Sequence, residues 1–446
     1  MSSNSRNKAS LIWKGLLYLN AALILFFWWQ GSGDLLSQGL PSILISLGRL
    51  SGLFAAAIVL LQFVFMGRNV WIEKIFGLDN LARVHRTTGQ WSIFLILLHP
   101  FLLTFGYSQL ADTSFLTQFF SFLSDYEDVL QAFIGLLLFC VVVVTSITVT
   151  RKRLKYEIWY FIHLIVYLAV YFSFGHQLHN GTDLLSNRIF YLYWVSLYSV
   201  VLGSYVLFRF VRPVYRFFQY QFTVSRIVRE SYNVVSVYIT GKNLQNLPAK
   251  PGQFIIVRFF NKKMWWQAHP FSLSMAPTGT ELRITVKAVG DYTRTMDRIT
   301  PGTKVFIDGP FGLFTDAVRT TNKILFIAGG IGITPIRALL EQFAPARHDS
   351  ILLYANKTSQ DIVLKKELES IAQNTATKII DVLSDEKKYA GEKGFVDAER
   401  IKRLVPDVLS RDVYICGPPP MMDALIKALQ SLGVPRDRIH YEKFAL

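Results

Sequence analysis

The first half of this chain is built to leave water. Six stretches of about 20 mostly apolar residues run through it, roughly 11–30, 43–66, 84–106, 129–150, 157–178 and 189–211. Each is long enough to cross a hydrocarbon layer as a helix, because about 30 Å is covered at about 1.5 Å per residue. The second half reads as ordinary soluble sequence, and the change falls near residues 211–220. A chain of 446 residues has room for two to four domains.

The loops between the apolar stretches orient them. Segment 67–86 carries Arg68, Lys74, Arg83 and Arg86; segment 151–155 carries Arg151, Lys152, Arg153 and Lys155; Arg212 and Arg216 follow the last stretch. The alternate loops differ: 107–128 holds Asp112, Asp125, Glu127 and Asp128 with no Lys or Arg, and 31–42 holds only Asp34. Basic loops mark the cytoplasmic face, so both termini are expected there, in a multi-pass protein of the cell membrane. Much of the net charge of +16 is thus accounted for by topology, and nucleic-acid binding is not expected. The first apolar run, with Arg6, Lys8 and Lys14 before it, is too long for a signal peptide and is expected to be a retained helix. The two cysteines, Cys140 in an apolar stretch and Cys416 in the soluble half, cannot hold an iron–sulfur cluster or a structural zinc ion.

Four histidines fall in or at the ends of two spans: His85 and His99 in span 3, His163 and His176 in span 5. Imidazoles at membrane depth are costly and usually functional. Spans 3 and 5 run in the same direction, so His85 and His163 share the inner level while His99 and His176 share the outer one. One imidazole from each helix at each level suits the two axial positions of a haem iron, with the levels about 20 Å apart. Span 3 places its two histidines within about 40° of one face, whereas span 5 leaves His176 about 140° from His163, so span 5 is expected to twist, bulge or end early. Arg49, near the outer end of span 2, and His179 are candidates to line the outer haem edge; Arg49 could instead pair with a haem propionate or reach the headgroups.

From about residue 218 the pattern becomes short alternating runs, Phe222–Val228, Val234–Thr240, Phe254–Phe259, Leu282–Val286 and Lys304–Ile307, separated by turns such as Pro251-Gly252 and Pro301-Gly302. These signals predict a small antiparallel barrel. From 322 strand and helix alternate: Ile324–Ala328, a helix from 335, then Ile351–Tyr354, Ile379–Leu383 and Val413–Cys416, which predicts a doubly wound parallel sheet. Ala328-Gly329-Gly330-Ile331-Gly332-Ile333-Thr334-Pro335 follows the first of these strands. Its glycines permit close backbone approach to a pyrophosphate, and the helix start offers free N–H groups.

Taken together, these motifs resemble the NADPH oxidase and ferric reductase superfamily over nearly the full length. The resemblance rests on His85…His99 and His163…His176, on His269-Pro270-Phe271-Ser272-Leu273-Ser274, which is similar to the flavin motif H-P-F-[ST]-x-S, and on Gly329–Pro335 and Cys416-Gly417-Pro418, which are similar to its nicotinamide-nucleotide motifs. It implies a six-helix di-haem domain over 1–212, an antiparallel β-barrel FAD domain over 213–318 and an α/β NAD(P)H domain over 319–446. The four histidines would be axial ligands of two b-type haems. His269 and Pro270 would lie along the FAD, Phe271 against its ring and Ser272 near N5. Lys287, Gly290, Asp291 and Thr293 would grip the FAD pyrophosphate. Gly329, Gly330, Gly332, Thr334, Pro335, Lys357, Cys416, Gly417 and Pro418 would meet NAD(P)H. Pro310-Phe311-Gly312 resembles the turn between the lobes, and Glu442 with Phe444 resembles the C-terminal E-x-F, although Ala445 and Leu446 follow here, so Phe444 is not the terminus. Lys357 stands where NADPH-selective relatives carry arginine, so NADPH and NADH both remain open.

The function so implied is electron transfer from cytoplasmic NAD(P)H through FAD and two haems to an acceptor outside. Oxygen, giving superoxide, is favoured over a ferric chelate because the motif set is closer to that branch. A reading of another class is a membrane anchor or transporter with a degenerate reductase tail, and a third is an electron donor to a separate protein. A constitutively active single-chain enzyme is expected, prokaryotic in type, with no calcium-binding motif and no obligatory protein partner.

Overall fold

The structure is a computed structural model that describes residues 3–147, 151, 153–261, 264–343 and 348–442. The chain divides into two compact units. One comprises Lys8–Asn69 and Asn80–Arg209; the other comprises Met1–Asn7, Val70–Asp79 and Phe210–Leu446.

Among the described residues, six helices are long and apolar enough to cross a membrane: Ser5–Ser37, Leu40–Met66, Leu78–Leu110, Val129–Ser146, Tyr156–Asn180 and Arg188–Tyr220. The packed interior of the first unit includes Ile24, Leu60, Phe190, Trp194 and Ala169, each no more than 2% exposed. Trp91, Phe94, Phe101 and Tyr171 point outward and are more than half exposed, as lipid-facing side chains are when the bilayer is subtracted. This is a multi-pass membrane protein.

Two local structures in this unit go beyond the sequence reading. The acidic loop 107–128 contains the helix Phe115–Asp125, capped by Ser114, whose hydroxyl accepts the Thr117 amide at 3.1 Å. Span 5 is not one rod but three pieces, Tyr156–Leu164, Val166–Phe172 and Gly175–Asn180. At the breaks the amides of Ile165, Phe174 and Gln177 bond back three residues, to Ile162, Tyr171 and Phe174. Such tightened turns rotate the chain about 20° further per residue than an α-helix. The added rotation carries His176 towards the face of His163. Glycines let neighbours close in on the second break: a methyl group at Gly135 would stand 2.4 Å from Ser173 Oγ, and one at Gly175 would stand 2.3 Å from Asp128 Oδ2.

The second unit begins with two three-stranded antiparallel sheets. In order they are β1-β2-β5 (Thr223–Ser231, Val234–Thr240, Glu281–Lys287) and β4-β3-β6 (His269–Ser272, Phe254–Phe259, Val305–Phe311). Bridges Thr223↔Lys304 and Leu273↔Ile284 join them into the expected barrel around Val237, Ile239, Ile255, Val257 and Ile284, all fully buried. The barrel has one strand more than the alternation indicated, because His269–Ser272 is itself β4.

A six-stranded sheet follows, in the order β10-β9-β8-β7-β11-β12 (Glu392–Lys393, Thr377–Leu383, Asp349–Asn356, Lys323–Gly329, Asp412–Cys416, Ile439–Tyr441). All its pairings are parallel. Helices cover both faces: Ile333–Phe343 and Lys365–Gln373 contribute to one core, Ala398–Leu404 and Pro419–Ser431 to the other. The strand order reverses between β7 and β11, the switch point where such sheets bind ligands.

Barrel and sheet are tied by a buried ion cluster. Arg283 of β5, 2% exposed, donates to both carboxylate oxygens of Glu367 at 2.7 and 2.9 Å, and the Arg337 guanidinium lies 2.8 Å from the same carboxylate.

Candidate functional site

Spans 3 and 5 bring the four histidines together in two facing pairs. His85 and His163 have ring centroids 6.0 Å apart at an interplanar angle of 69°; His99 and His176 have centroids 6.4 Å apart at 43°. Two imidazoles that ligate one iron from opposite sides, with bonds of about 2 Å, have ring centres about 6 Å apart. The pairs therefore fit bis-imidazole haem.

Each pair has one ring tethered through Nδ1. His99 Nδ1 lies 2.7 Å from the Gly48 carbonyl oxygen, and His163 Nδ1 lies 3.3 Å from Ser146 Oγ, which also accepts the Trp159 indole N–H at 3.2 Å. An Nδ1–H held by a carbonyl leaves Nε2 as the free electron pair for a metal. His85 Nδ1 is buried with no hydrogen-bond partner among the described residues, and the His176 ring has the Ser173 backbone as its neighbour.

A cavity of about 650 Å3 opens at the outer level. Its lining includes Arg49, His99, Tyr107, His176, Gln177 and His179, and its volume is in the range of cofactor pockets. Arg49 donates to Ser32 Oγ and Tyr107 Oη, both at 3.1 Å, so it lines the cavity wall rather than reaching for the headgroups. Ser32 in turn donates to buried Asp183 at 2.6 Å. His179 Nδ1 lies 2.7 Å from Asp128 Oδ2.

In the second unit the flavin-motif residues His269, Pro270, Phe271 and Ser272 pair in register with Val257, Ile256, Ile255 and Phe254 of β3. The His269 ring lies against Tyr292, with centroids 3.8 Å apart and the planes tilted by 32°. Lys287, at the end of β5, lies 3.5 Å from Asp361, a residue of the sheet lobe. Thr293 caps its own loop: its hydroxyl oxygen accepts the amides of Val289 and Gly290 at 3.0 and 2.9 Å. Gly290 has open space around it, and Asp291 is exposed.

The two nucleotide motifs meet at the switch point. A methyl group on Gly332 would stand 2.3 Å from the Cys416 carbonyl oxygen, and one on Gly329 would stand 2.4 Å from Met421 Sδ and 3.0 Å from Pro418. Gly417 lies 3.2 Å from Gly329 by the same measure. Only glycine permits this approach of the β7 turn to the β11 turn. Gly330 has φ +52°. Thr334 and Pro335 open the helix Ile333–Phe343, and the Thr334 hydroxyl donates back to the Ile331 carbonyl at 3.0 Å. Lys357 follows β8 and is exposed. Burial raises the Cys416 thiol far above its ordinary value, so it stays neutral. Glu442 follows β12; Phe444 lies outside the described residues.

One residue of this neighbourhood escaped the sequence reading. Glu73 lies in the short helix Val70–Phe76, between spans 2 and 3 in the sequence, yet it packs within the second unit, where its Oε1 accepts the Gly312 amide at 2.7 Å. Glu73 in an otherwise basic connecting segment was the available signal.

Three known families match successive parts of the chain: ferric reductase like transmembrane component over residues 51–174, FAD-binding domain over 219–315 and oxidoreductase NAD-binding domain over 326–427. This is the NADPH oxidase and ferric reductase architecture. In this architecture a transmembrane component is followed by an FAD-binding domain and an oxidoreductase NAD-binding domain.

Among similar proteins, the glycine betaine monooxygenase reductase subunit of Pseudomonas aeruginosa is 28% identical over 209 residues, 44% of this chain and 56% of that one. A flavohemoprotein of Rhodopirellula baltica is 32% identical over 247 residues, 50% of this chain and 60% of that one. The chain thus spans a little over half the length of these curated relatives. The flavohem-like FAD/NAD binding domain of nitric oxide dioxygenase from Vibrio cholerae superposes with a TM-score of 0.45 at 24% identity, covering 50% of this chain and 97% of that domain.

Proposed function

We propose that the chain carries electrons from cytoplasmic NAD(P)H through FAD and two b-type haems to an acceptor on the other side of the membrane, with oxygen, giving superoxide, as the favoured acceptor. The observation that carries this is the pair of facing imidazoles at each of two levels, 6.0 and 6.4 Å between ring centres. His85 and His163 would hold the inner haem, and His99 and His176 the outer one. Such groups supply one-electron steps, which a hydride donor cannot make alone. Arg49 and the cavity it lines would govern how an acceptor reaches the outer haem.

In the reductase unit, Phe271 and Ser272 of β4 are the flavin-facing residues in this reading, and His269, Pro270, Lys287, Gly290, Asp291 and Thr293 hold its remainder. The turns at Gly329–Pro335 and Cys416–Pro418 receive the nicotinamide nucleotide, with Glu442 and Phe444 at the hydride-transfer end. Lys357 is placed as a point charge for a 2′-phosphate, which binds NADPH without excluding NADH. Basic segments 67–86 and 151–155 put both termini in the cytoplasm and the protein in the cell membrane. The domain limits 1–212, 213–318 and 319–446 serve this division of labour.

A purified sample tests the reading directly. Its expected spectrum shows a haem Soret band with two haems per FAD, and a lower ratio overturns the two-level path. Superoxide-dismutase-sensitive reduction of cytochrome c, set beside a ferrous-chelator assay, decides the acceptor. Dominant chelator reduction replaces the oxidase by a ferric-chelate reductase.

A further inference from the structure

In a doubly wound sheet the pyrophosphate takes the turn after one strand, and the adenine ribose reaches the end of the next. There a carboxylate receives a free 2′-hydroxyl, or a cation receives a 2′-phosphate. Here β7 carries the Gly329–Gly332 turn, and β8 lies beside it with Ala355 in register with Gly329. β8 ends at Asn356, and Lys357 opens the loop that follows. β9 pairs on the far side of β8, and the loop after it is laced to the Lys357 loop. The Ser384 amide donates to the Asn356 carbonyl at 3.0 Å and the Asp385 amide to the Lys357 carbonyl at 2.9 Å.

The polar hydrogens next to Lys357 are spent within the chain. Glu386 folds back on them: its Oε2 accepts the Ser359 amide at 2.5 Å and its Oε1 accepts the Ser359 hydroxyl at 3.1 Å. Asp361 closes the same loop from its other end, with Oδ2 accepting the Thr358 amide at 3.3 Å and the Thr358 hydroxyl at 3.0 Å. Amides and hydroxyls of this kind are the donors through which a loop grips a phosphate, and here all four face carboxylates. Burial works against the charge on Asp361, but Thr358 and Lys287 hold its carboxyl below the ordinary range, so it is an anion at neutral pH. The nearby cations do not tip the balance. Across 357–361 and 384–388, Lys357, Lys387 and Lys388 are matched by Asp361, Asp385 and Glu386. A phosphate monoester brings a charge of about −1.5 to −2 at pH 7, and here it meets Glu386 on the donors it needs. A ribose with a free 2′-hydroxyl donates to such a carboxylate instead.

We propose that Glu386 is a selectivity residue that makes this chain prefer NADH to NADPH, because its carboxylate holds the donors a 2′-phosphate would use and repels that phosphate. This deepens the proposed function: it rests on the nucleotide lying at the switch point, and it does not depend on the haem path. Glu386 makes and breaks no bond in the reaction, so its effect falls on binding. Lys357 is then left to meet a phosphate as a point charge without a fork.

The test uses the full-length, FAD-loaded protein with ferricyanide as electron acceptor. The kcat/KM for NADH is expected to exceed that for NADPH by on the order of tenfold or more, with the difference in KM. Selectivity by repulsion is screened by salt, so raising ionic strength should narrow the gap by lowering the KM for NADPH; a phosphate captured by Lys357 would be released instead. 2′-AMP should compete poorly with NADH. Glu386→Gln removes the charge and keeps an acceptor oxygen for Ser359. In that variant the NADPH-to-NADH ratio of kcat/KM should rise by about tenfold, and 2′-AMP should become the stronger inhibitor. Adding Lys357→Ala should cancel the gain. A wild type that uses NADPH as well as NADH, or a ratio that Glu386→Gln leaves unmoved, overturns the proposal. If Glu386→Gln does not fold, the wild-type ratio and its salt response decide alone. Failure of the underlying nucleotide reading looks different: neither NADH nor NADPH then bleaches the flavin of the wild type.

Discussion

Gly52 lies directly against His99: a methyl group at position 52 would stand 2.5 Å from the imidazole Nδ1 and 2.7 Å from Cε1. The span 2 backbone therefore forms the back wall of the outer histidine pair, and the Gly48 carbonyl one turn earlier holds the same ring. Gly52→Ala is expected to push the imidazole off its place, since overpacking a fitted site costs about 1–3 kcal/mol. Haem content should fall from two towards one per chain with FAD content unchanged. Two haems with an unchanged spectrum would show that the wall does not position His99.

His99→Ala separates the two halves of the path. NAD(P)H should still bleach the flavin in a stopped-flow experiment, because that chemistry lies in the other unit. Reduction of the outside acceptor should fall to background. Full trans-membrane activity in this variant would refute transfer through the outer level.

Glu367 neutralises the buried Arg283 and also pairs with Arg337. Burial works against its charge, but the two guanidinium groups hold its carboxyl below the ordinary value. Glu367→Ala leaves Arg283 buried without a counter-charge, and a loss of about 3 kcal/mol is expected for the reductase unit. Denaturation followed by FAD fluorescence checks it; a change under about 0.5 kcal/mol, the scale of ordinary surface substitutions, would show that Tyr238 and the Ser274 carbonyl suffice for Arg283.

Asp412, fully buried, accepts His440 Nε2 at 2.8 Å and the amides of Thr320 and Thr321 at 2.8 and 2.6 Å. Burial raises its pKa, but these donors outweigh it and hold the carboxyl below the ordinary range. A depressed folded-state value gives stability that is fully present above the unfolded value of about 3.9 and is lost as pH falls through the folded one. Asp412→Asn should therefore lower the melting temperature at pH 7 and flatten its decline below pH 4. Parallel wild-type and variant curves across that acid range would contradict this.

Much of the architecture was legible because membrane helices and glycine turns are local signals. Apolar runs of about 20 residues announce themselves whatever they pack against. The Gly329–Gly332 run reports a close approach that tolerates no Cβ. The strain in span 5 was legible too, since His163 and His176 lie 13 residues apart on a helix that repeats every 3.6. Its solution was not, because the tightened turn at Phe174 sits against Gly135 and Asp128, residues from before span 5. The placement of Glu73 was hidden for the same reason. Its hydrogen bond reaches across 239 positions to Gly312, and no periodicity within Val70–Phe76 records it. His269–Ser272 was missed as a strand because its pairing is supplied by β3 and its own four residues are too short to alternate.

The segmented fifth span also changes how this protein can vary. A continuous helix would fix the bearing of His176 relative to His163 by α-helical rotation alone. Three short pieces decouple them: a residue gained or lost between Ile165 and Phe174 re-registers His176 while His163 keeps its bearing. Redesign of the His99/His176 level is thereby open to small local edits that spare the His85/His163 level.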